Sequence, residues 1–381
     1  MELKDKLVIE AGHVTEVYGP VQAARNYMIK KAGELIYIIH PFSYSKLEGT
    51  LAEFYAGGRQ VKAVRGHKRM RNQFLQWIKD VIFNIRFVMG LKRKADLFLA
   101  VDNLNGLTAL LLKRMGRVDK VAYYIIDHMD RRFKNPFFNF VYETLDRMCC
   151  RGADSVWALS QRMADAKIKK FRLKGDNFQV VPVGVELDKV DKFHREEKLV
   201  KKSLVLMSML DETKGVQVLI DAMPQVIKDE PGAELLIIGT GPYEEALKLK
   251  TANMGLNENV KFLGLMNHDE LFKFIPHERV GVAPYSDDPN NYTYYADPTK
   301  PKEYLACGLP LVITGVPWIA EETEKRPMGI VCRYNKEELA AACVKLLKDD
   351  DFYLKCLENA LDFASELSWD RIYDEAAGKM P

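Results

Sequence analysis

Short runs of aliphatic and β-branched residues alternate with longer stretches of helical spacing along the whole chain. The first half carries such runs at residues 7–11, 35–40, 96–101, 121–126, 155–159 and 178–183, and the second at 204–209, 235–239, 260–265, 280–284, 311–314 and 329–332. A strand covered by helices on both faces reads as a continuous apolar run, so these segments predict buried parallel strands. Strand and helix in alternation predict α/β architecture. The polar stretch 186–202 separates the two sets, which predicts two doubly wound domains, 1–188 and 200–366. Open α/β sheets bind ligands at the carboxyl ends of their strands, so a central cleft faced by both domains is the expected site.

Two stretches depart from the alternation. Residues 67–89 carry Met70, Phe74, Trp77, Ile78, Val81, Ile82, Ile85, Val88 and Met89 at helical spacing. The other face holds Lys68, Arg69, Arg71, Lys79 and Arg86, and Lys92-Arg93-Lys94 follow. One reading is a core helix with a solvated face. The other is an interfacial helix across 67–94 on anionic lipid, where each basic residue adds about 1 kcal/mol of attraction. The second stretch, 286–299, is rich in Asp, Asn and Tyr, and a loop of that length in a compact domain is usually functional.

Composition narrows the picture. The 381 residues are 48% hydrophobic and 29% charged, which excludes a disordered or fibrous chain. With 56 basic against 53 acidic residues no global field points to nucleic acid, yet the charge is unevenly placed. Residues 1–190 hold 33 basic and 20 acidic side chains, a net +13, whereas 191–381 hold 23 and 33, a net −10. Six cysteines show no CxxC pair and no histidine at metal-ligand spacing, so a reduced, cytoplasmic setting is expected and no metal site. Met1-Glu2-Leu3-Lys4-Asp5-Lys6 lacks the apolar stretch of a signal peptide, and no run of about 18 apolar residues occurs.

The most informative segment is Asp297-Pro298-Thr299-Lys300-Pro301-Lys302-Glu303-Tyr304-Leu305-Ala306-Cys307-Gly308-Leu309-Pro310. It reads as a helix start, with Asp297 as N-cap, Pro298 at the first helical position and Gly308 beyond the end. The amides of Thr299 and Lys300 then lack helical partners, and a helix N-terminus beside a lysine favours an anion. Lys300 and Glu303, three apart, share a face. A pyrophosphate on the amides and Lys300 would bring a ribose to the Glu303 carboxylate; the plain alternative is an exposed Lys300–Glu303 ion pair. Upstream, Thr213-Lys214-Gly215 follows a strand and enters a helix, where a first-turn lysine opposes the dipole unless an anion sits there. Gly239-Thr240-Gly241-Pro242 is a strand followed by a turn whose small residues admit a close backbone approach to a ligand.

In this order the motifs resemble the retaining glycosyltransferases of family 4, which have the GT-B fold. The resemblance rests on Thr213-Lys214-Gly215, Gly239-Thr240-Gly241-Pro242, Val260-Lys261-Phe262-Leu263-Gly264 and Glu303 through Pro310, and is strongest over residues 204–310. Leu367-Ser368-Trp369-Asp370 resembles the start of the closing helix, 367–381, that returns to the first domain in this fold. The resemblance implies that Lys214 neutralises a donor diphosphate, that Glu303 holds the ribose, and that Leu263 and Gly264 offer backbone groups to the base. Gly19-Pro20 is similar to the loop near acceptor and diphosphate. Asp127-His128 is similar to the position where a histidine lies beside the donor sugar; His13 and His40 are not singled out by the motif. Two departures stand out: Met209 replaces the usual Arg five residues before the lysine, and Tyr295 replaces the usual first Glu. Losing the Arg removes about 1.5–3 kcal/mol of charge-assisted contact. Lys300 is the expected replacement, and Tyr295 or Asp297 the expected sugar-hydroxyl ligand.

The implied activity is transfer of a sugar from a nucleotide diphosphate, UDP- or GDP-linked, to an acceptor hydroxyl, with retention. Lysines and helix amides would take the place of a divalent metal, and no cofactor is expected. The basic first half suits a saccharide or lipid-linked acceptor at the inner membrane face, as in polysaccharide precursor synthesis. Two other readings stay open here: a catalytically silent binding subunit, and a sugar-nucleotide epimerase on the same fold.

Overall fold

In the computed structural model, which describes residues 1–14, 18–42, 44–129, 131–288 and 292–381, the chain divides into two units. Met1–Val183 with Trp369–Pro381 form the first, and Gly184–Ser368 the second. The first contains β1 (Leu7–Val14), β2 (Glu34–Pro41), β3 (Gly49–Ala56), β4 (Arg59–Lys68), β5 (Ala95–Ala100), β6 (Val118–Ile125), β7 (Ser155–Ala158) and β8 (Phe178–Val180). Their order is β4-β3-β2-β1-β5-β6-β7-β8, with β1 parallel to both β2 and β5. Every residue of β1 is buried, as expected for a central strand under helices on both faces.

Six of these strands coincide with the apolar runs. The antiparallel hairpin β3–β4 does not, because its strands are largely solvent-facing and mix apolar with charged positions. It also takes His67 and Lys68 out of the helix expected over 67–89. The helix α2 (Gln73–Met89) follows α1 (Pro20–Lys31) and starts where the Asn72 side chain accepts the amides of Phe74 and Leu75. Its inner face is the polar one. Gln76, Asp80 and Asn84 are buried at four-residue spacing, while Phe74, Leu75, Ile78, Ile82 and Met89 are exposed. The core-helix expectation is thus reversed, since the stripe facing inward meets a polar cluster under the sheet ends. Further helices are α3 (Asn103–Arg114), α4 (Pro136–Gly152) and α5 (Gln161–Phe171).

The second unit is a parallel sheet of β9 (Ser203–Met207), β10 (Glu234–Ile238), β11 (Val260–Gly264), β12 (Val280–Ala283), β13 (Leu311–Thr314) and β14 (Gly329–Cys332). The order is β11-β10-β9-β12-β13-β14, so the winding direction reverses between β9 and β12. That reversal is the place where loops at the carboxyl edge diverge and leave room for a ligand. The helices are α6 (Arg195–Val200), α7 (Val216–Asp229), α8 (Glu244–Asn253), α9 (His268–Phe274), α10 (Thr299–Ala306), α11 (Trp318–Lys325), α12 (Lys336–Lys348) and α13 (Asp350–Ser365). The last helix, α14 (Trp369–Gly378), packs within the first unit, where the Tyr373 hydroxyl donates to Pro20 O at 2.9 Å. All six cysteines are unpaired thiols in buried positions. Among the described residues no helix is long and apolar enough to cross a membrane.

Candidate functional site

At the carboxyl edge of the second sheet, glycines clamp the loops that follow β9, β10 and β12. A Cβ on Gly239 would lie 1.8 Å from Ser208 O, and one on Gly241 would lie 2.2 Å from Leu210 O. Leu210 N donates to Thr240 O at 3.0 Å and Gly239 N to Gly264 O at 2.8 Å, which ties the end of β11 to the same group. The small residues therefore permit a close loop-to-loop approach. Gly215, at φ +76°, abuts Pro284 O, where a Cβ would come within 1.7 Å. Lys214 sits in a 3₁₀ turn, Glu212–Lys214, ahead of α7 instead of in its first turn. The dipole conflict expected for it is absent because Gly215 redirects the chain before the helix begins.

The N-terminus of α10 opens on this same edge. Its N-cap is Pro298, not Asp297, and Thr299 and Lys300 are the first two helical residues. Pro301 has no N–H, so the amides of Thr299 and Lys300 are the donors left without helical partners there. The Asp297 carboxylate lies inside the unit: Oδ2 accepts from Lys302 Nζ at 2.6 Å and Oδ1 from Trp318 Nε1 at 2.7 Å. Lys302 and Asp297 are both fully buried at the side chain, which removes Asp297 as a sugar-hydroxyl ligand and makes it the anchor of the helix start. Burial pushes the Lys302 ammonium down from its ordinary pKa, with Asp297 opposing. Tyr295 is half-buried and meets Tyr294 edge-on at 5.0 Å. Residues 289–291 of the predicted 286–299 loop lie outside the described residues.

Glu303 is buried in α10 and its Oε1 lies 2.8 Å from His268 Nε2. No Lys300–Glu303 pair forms among the described residues; Lys300 is exposed. His268 Nδ1 is 3.4 Å from Glu186 Oε2, so one imidazole lies between two carboxylates. The Glu303 bond raises the His268 pKa above its ordinary value, against the effect of partial burial. Sequence reasoning missed His268. The local signal, Asn267 with Glu270 as a capping box, marks a helix start but not its partner 35 residues away. Met209 is exposed on the loop after β9.

The first unit holds the remaining candidates. Gly19 is the N-cap of α1, its N–H bonded to Gln22 Oε1 at 3.1 Å, and Pro20 is the first helical residue. After β6, the Asp127 carboxylate pairs with Arg132 at 2.6 Å while His128 is buried. Asp127 and Arg132, with His13 and Asp102, form the polar end of a cavity of about 410 Å³ between α2 and α4. Its walls are apolar: Phe74, Trp77, Ile78, Phe133, Phe138 and Tyr142 among them. His128, Gly19 and Pro20 are not part of this lining. Outside it, Phe137 and Phe140 on α4 are 67% and 68% exposed.

Against known proteins, residues 201–349 match the family model for glycosyl transferases group 1. The chain is 24% identical over 181 residues to alpha-monoglucosyldiacylglycerol synthase of Streptococcus pneumoniae, a stretch covering 44% of this chain and 39% of that protein. It is 28% identical over 183 residues to the GDP-mannose-dependent monoacylated alpha-(1-6)-phosphatidylinositol monomannoside mannosyltransferase of Corynebacterium glutamicum, covering 45% and 47%. The chain thus spans less than half the length of these relatives. In structure it is similar to sucrose-phosphate synthase from Thermosynechococcus elongatus, with a TM-score of 0.72 at 15% identity over 98% of both chains. Anabaena Alr3699/HepE, solved in complex with UDP, gives 0.69 at 16% over 98% of both. The fold is therefore GT-B, two Rossmann-like α/β units, the first extended by an antiparallel hairpin.

Proposed function

We propose that this chain transfers a sugar from a nucleotide-diphosphate donor to a hydroxyl of an amphiphilic, lipid-borne acceptor. The observation that carries the reading is the carboxyl edge of the second sheet. There a winding reversal, the Lys214 turn, two unsatisfied amides of α10 and the buried Glu303 share one face of the unit. Such a face supplies cations and dipoles where negative charge grows on a departing diphosphate, and a carboxylate for paired ribose hydroxyls. Lys214, Lys300 and the amides do the work that a divalent metal would otherwise do in the transfer, and retention is what the resemblance of the motifs implies. On the first unit, the cavity between α2 and α4 offers apolar walls to an acyl or prenyl chain and charged groups to its head. The net +13 of residues 1–190 favours an anionic membrane surface, in keeping with peripheral attachment at its cytoplasmic face.

Thermal unfolding with UDP- and GDP-sugars tests the donor half. A sugar nucleotide at 100 times its dissociation constant adds about 2.7 kcal/mol of stability. Glu303→Ala and Lys214→Ala should each remove most of that shift. Absence of a shift with every sugar nucleotide would remove the donor site. Transfer of radiolabelled sugar to an extracted lipid fraction, and not to free sugars, tests the acceptor half. A donor shift with no transfer to any acceptor would favour the silent binding subunit, and an isomerised free donor the epimerase.

A further inference from the structure

Side chains from four elements of the first unit meet at one point: His40 at the end of β2, Thr50 on β3, His67 at the end of β4 and Asp80 on α2. His40 Nδ1 and His67 Nε2 each lie 3.0 Å from Asp80 Oδ1. Thr50 Oγ1 is 3.0 Å from His40 Nδ1, 3.2 Å from His67 Nε2 and 3.2 Å from Asp80 Oδ1. Gln76 Nε2 donates to the same carboxylate oxygen at 2.8 Å. His40 and Asp80 are buried and His67 is half-buried.

Hydrogen bonds on the far side of each ring decide what the near nitrogens carry. The Asp102 carboxylate accepts Asn105 Nδ2 at 2.7 Å, which turns Asn105 Oδ1 toward Asn84 Nδ2, also at 2.7 Å. Asn84 therefore presents Oδ1 to His40 Nε2 at 3.1 Å, and that nitrogen holds the proton. His67 Nδ1 likewise faces the Lys68 carbonyl oxygen at 3.3 Å and holds the proton there. With these tautomers, His40 Nδ1 and His67 Nε2 aim bare lone pairs at a carboxylate oxygen.

A cation at the centre satisfies all three atoms at once. Imidazoles that ligate metals donate their second N–H to a carbonyl or carboxylate, as both rings do here. Three ligands about 2.0–2.2 Å from a tetrahedral ion lie roughly 3.3–3.5 Å apart; the two histidine–Asp80 spacings are slightly shorter at 3.0 Å, and all three ligand atoms lie within 4.8 Å of one another. The second Asp80 oxygen is held by His13 Nε2 at 3.0 Å, whose Nδ1 meets Asp102 at 2.9 Å. We propose that His40, His67 and Asp80 bind a divalent transition metal of the zinc class, with Thr50 Oγ1 beside the fourth position. Two imidazoles with one carboxylate select such an ion over Mg²⁺ or Ca²⁺. The ion fastens the β3–β4 hairpin and α2 to the parallel strands, and takes no part in sugar transfer.

Titration of the chelator-stripped, untagged full chain with Zn²⁺ by calorimetry tests this. One Zn²⁺ per chain is expected, at submicromolar affinity, with a raised thermal midpoint and no saturable uptake of Mg²⁺. His67→Ala, at the most accessible ligand, should weaken binding by on the order of 100-fold and abolish the midpoint shift. Co²⁺ should give visible ligand-field absorption in the wild type and none in His67→Ala. Asp80→Asn should behave alike; where it fails to fold, His67→Ala decides alone. No saturable Zn²⁺ binding by the wild type, or unchanged affinity in His67→Ala, would overturn the proposal.

Discussion

Glu10 stands fully buried on β1, opposite Tyr37, and among the described residues neither carboxylate oxygen has a hydrogen-bond partner. Burial pushes its carboxyl well above the ordinary value, and the Arg25 guanidinium only partly opposes this. The folded chain therefore keeps the proton to a higher pH than the unfolded one, whose glutamate ionises near pH 4.3–4.5. Its stabilising share is complete below that range and is lost as pH rises toward the folded value. Glu10→Gln keeps the shape and removes the titration, so its thermal midpoint should exceed the wild type at pH 7 and equal it near pH 4. A variant less stable at pH 7 would show an ionised, paired Glu10. The same contrast between local and assembled chemistry separates Glu303 from His268. Glu303 stands in a contiguous motif and was legible; the imidazole bonded to it comes from another helix and was not.

The helix α2 shows what periodicity can and cannot tell. Spacing predicted a helix, and the helix is there, but which side faces inward depends on neighbours brought by β1, β2 and β4. Those neighbours are His13, His40 and His67, far apart in sequence and invisible to a search for local metal-ligand spacing. The hairpin β3–β4 escaped for a related reason, since a half-exposed edge leaves no continuous apolar run. With its apolar face outward, α2 can be altered cheaply. Replacing a buried Phe or Ile by a small residue costs about 2–5 kcal/mol, whereas exposed positions usually change stability by less than about 0.5 kcal/mol. Phe74→Ser with Ile78→Ser should therefore leave the unfolding midpoint nearly unchanged and keep the donor-induced shift. It should abolish flotation with anionic vesicles, and charge reversal at Lys68 and Arg71 should weaken flotation in a salt-dependent way. Undiminished vesicle binding by the double variant would refute a lipid-facing role for this helix.

Across the molecule, the alternation of apolar runs and helical stretches carried the architecture because each βα step is local and the central strands of both sheets are buried. The closing helix was legible from Leu367-Ser368-Trp369-Asp370, though not what it contributes. In the first unit, Trp369 stacks on Tyr373 at 5.5 Å, and Tyr373 also meets Tyr27 at 5.3 Å and Trp157 at 6.1 Å. Tyr373 is fully buried, while Tyr27 donates to Asp374 Oδ1 at 2.8 Å. A cavity of aromatic size under α1 should cost about 3–5 kcal/mol, against 5–15 kcal/mol of total stability for an ordinary domain. Tyr373→Ala should accordingly speed amide exchange in α1, β1 and β7, which pack around this ring cluster. Amides of β9 to β14, which belong to the other core, should exchange as before, and a sugar nucleotide should still protect them. Equal loss of protection in both units would mean that the closing helix supports the whole chain and not the first unit alone.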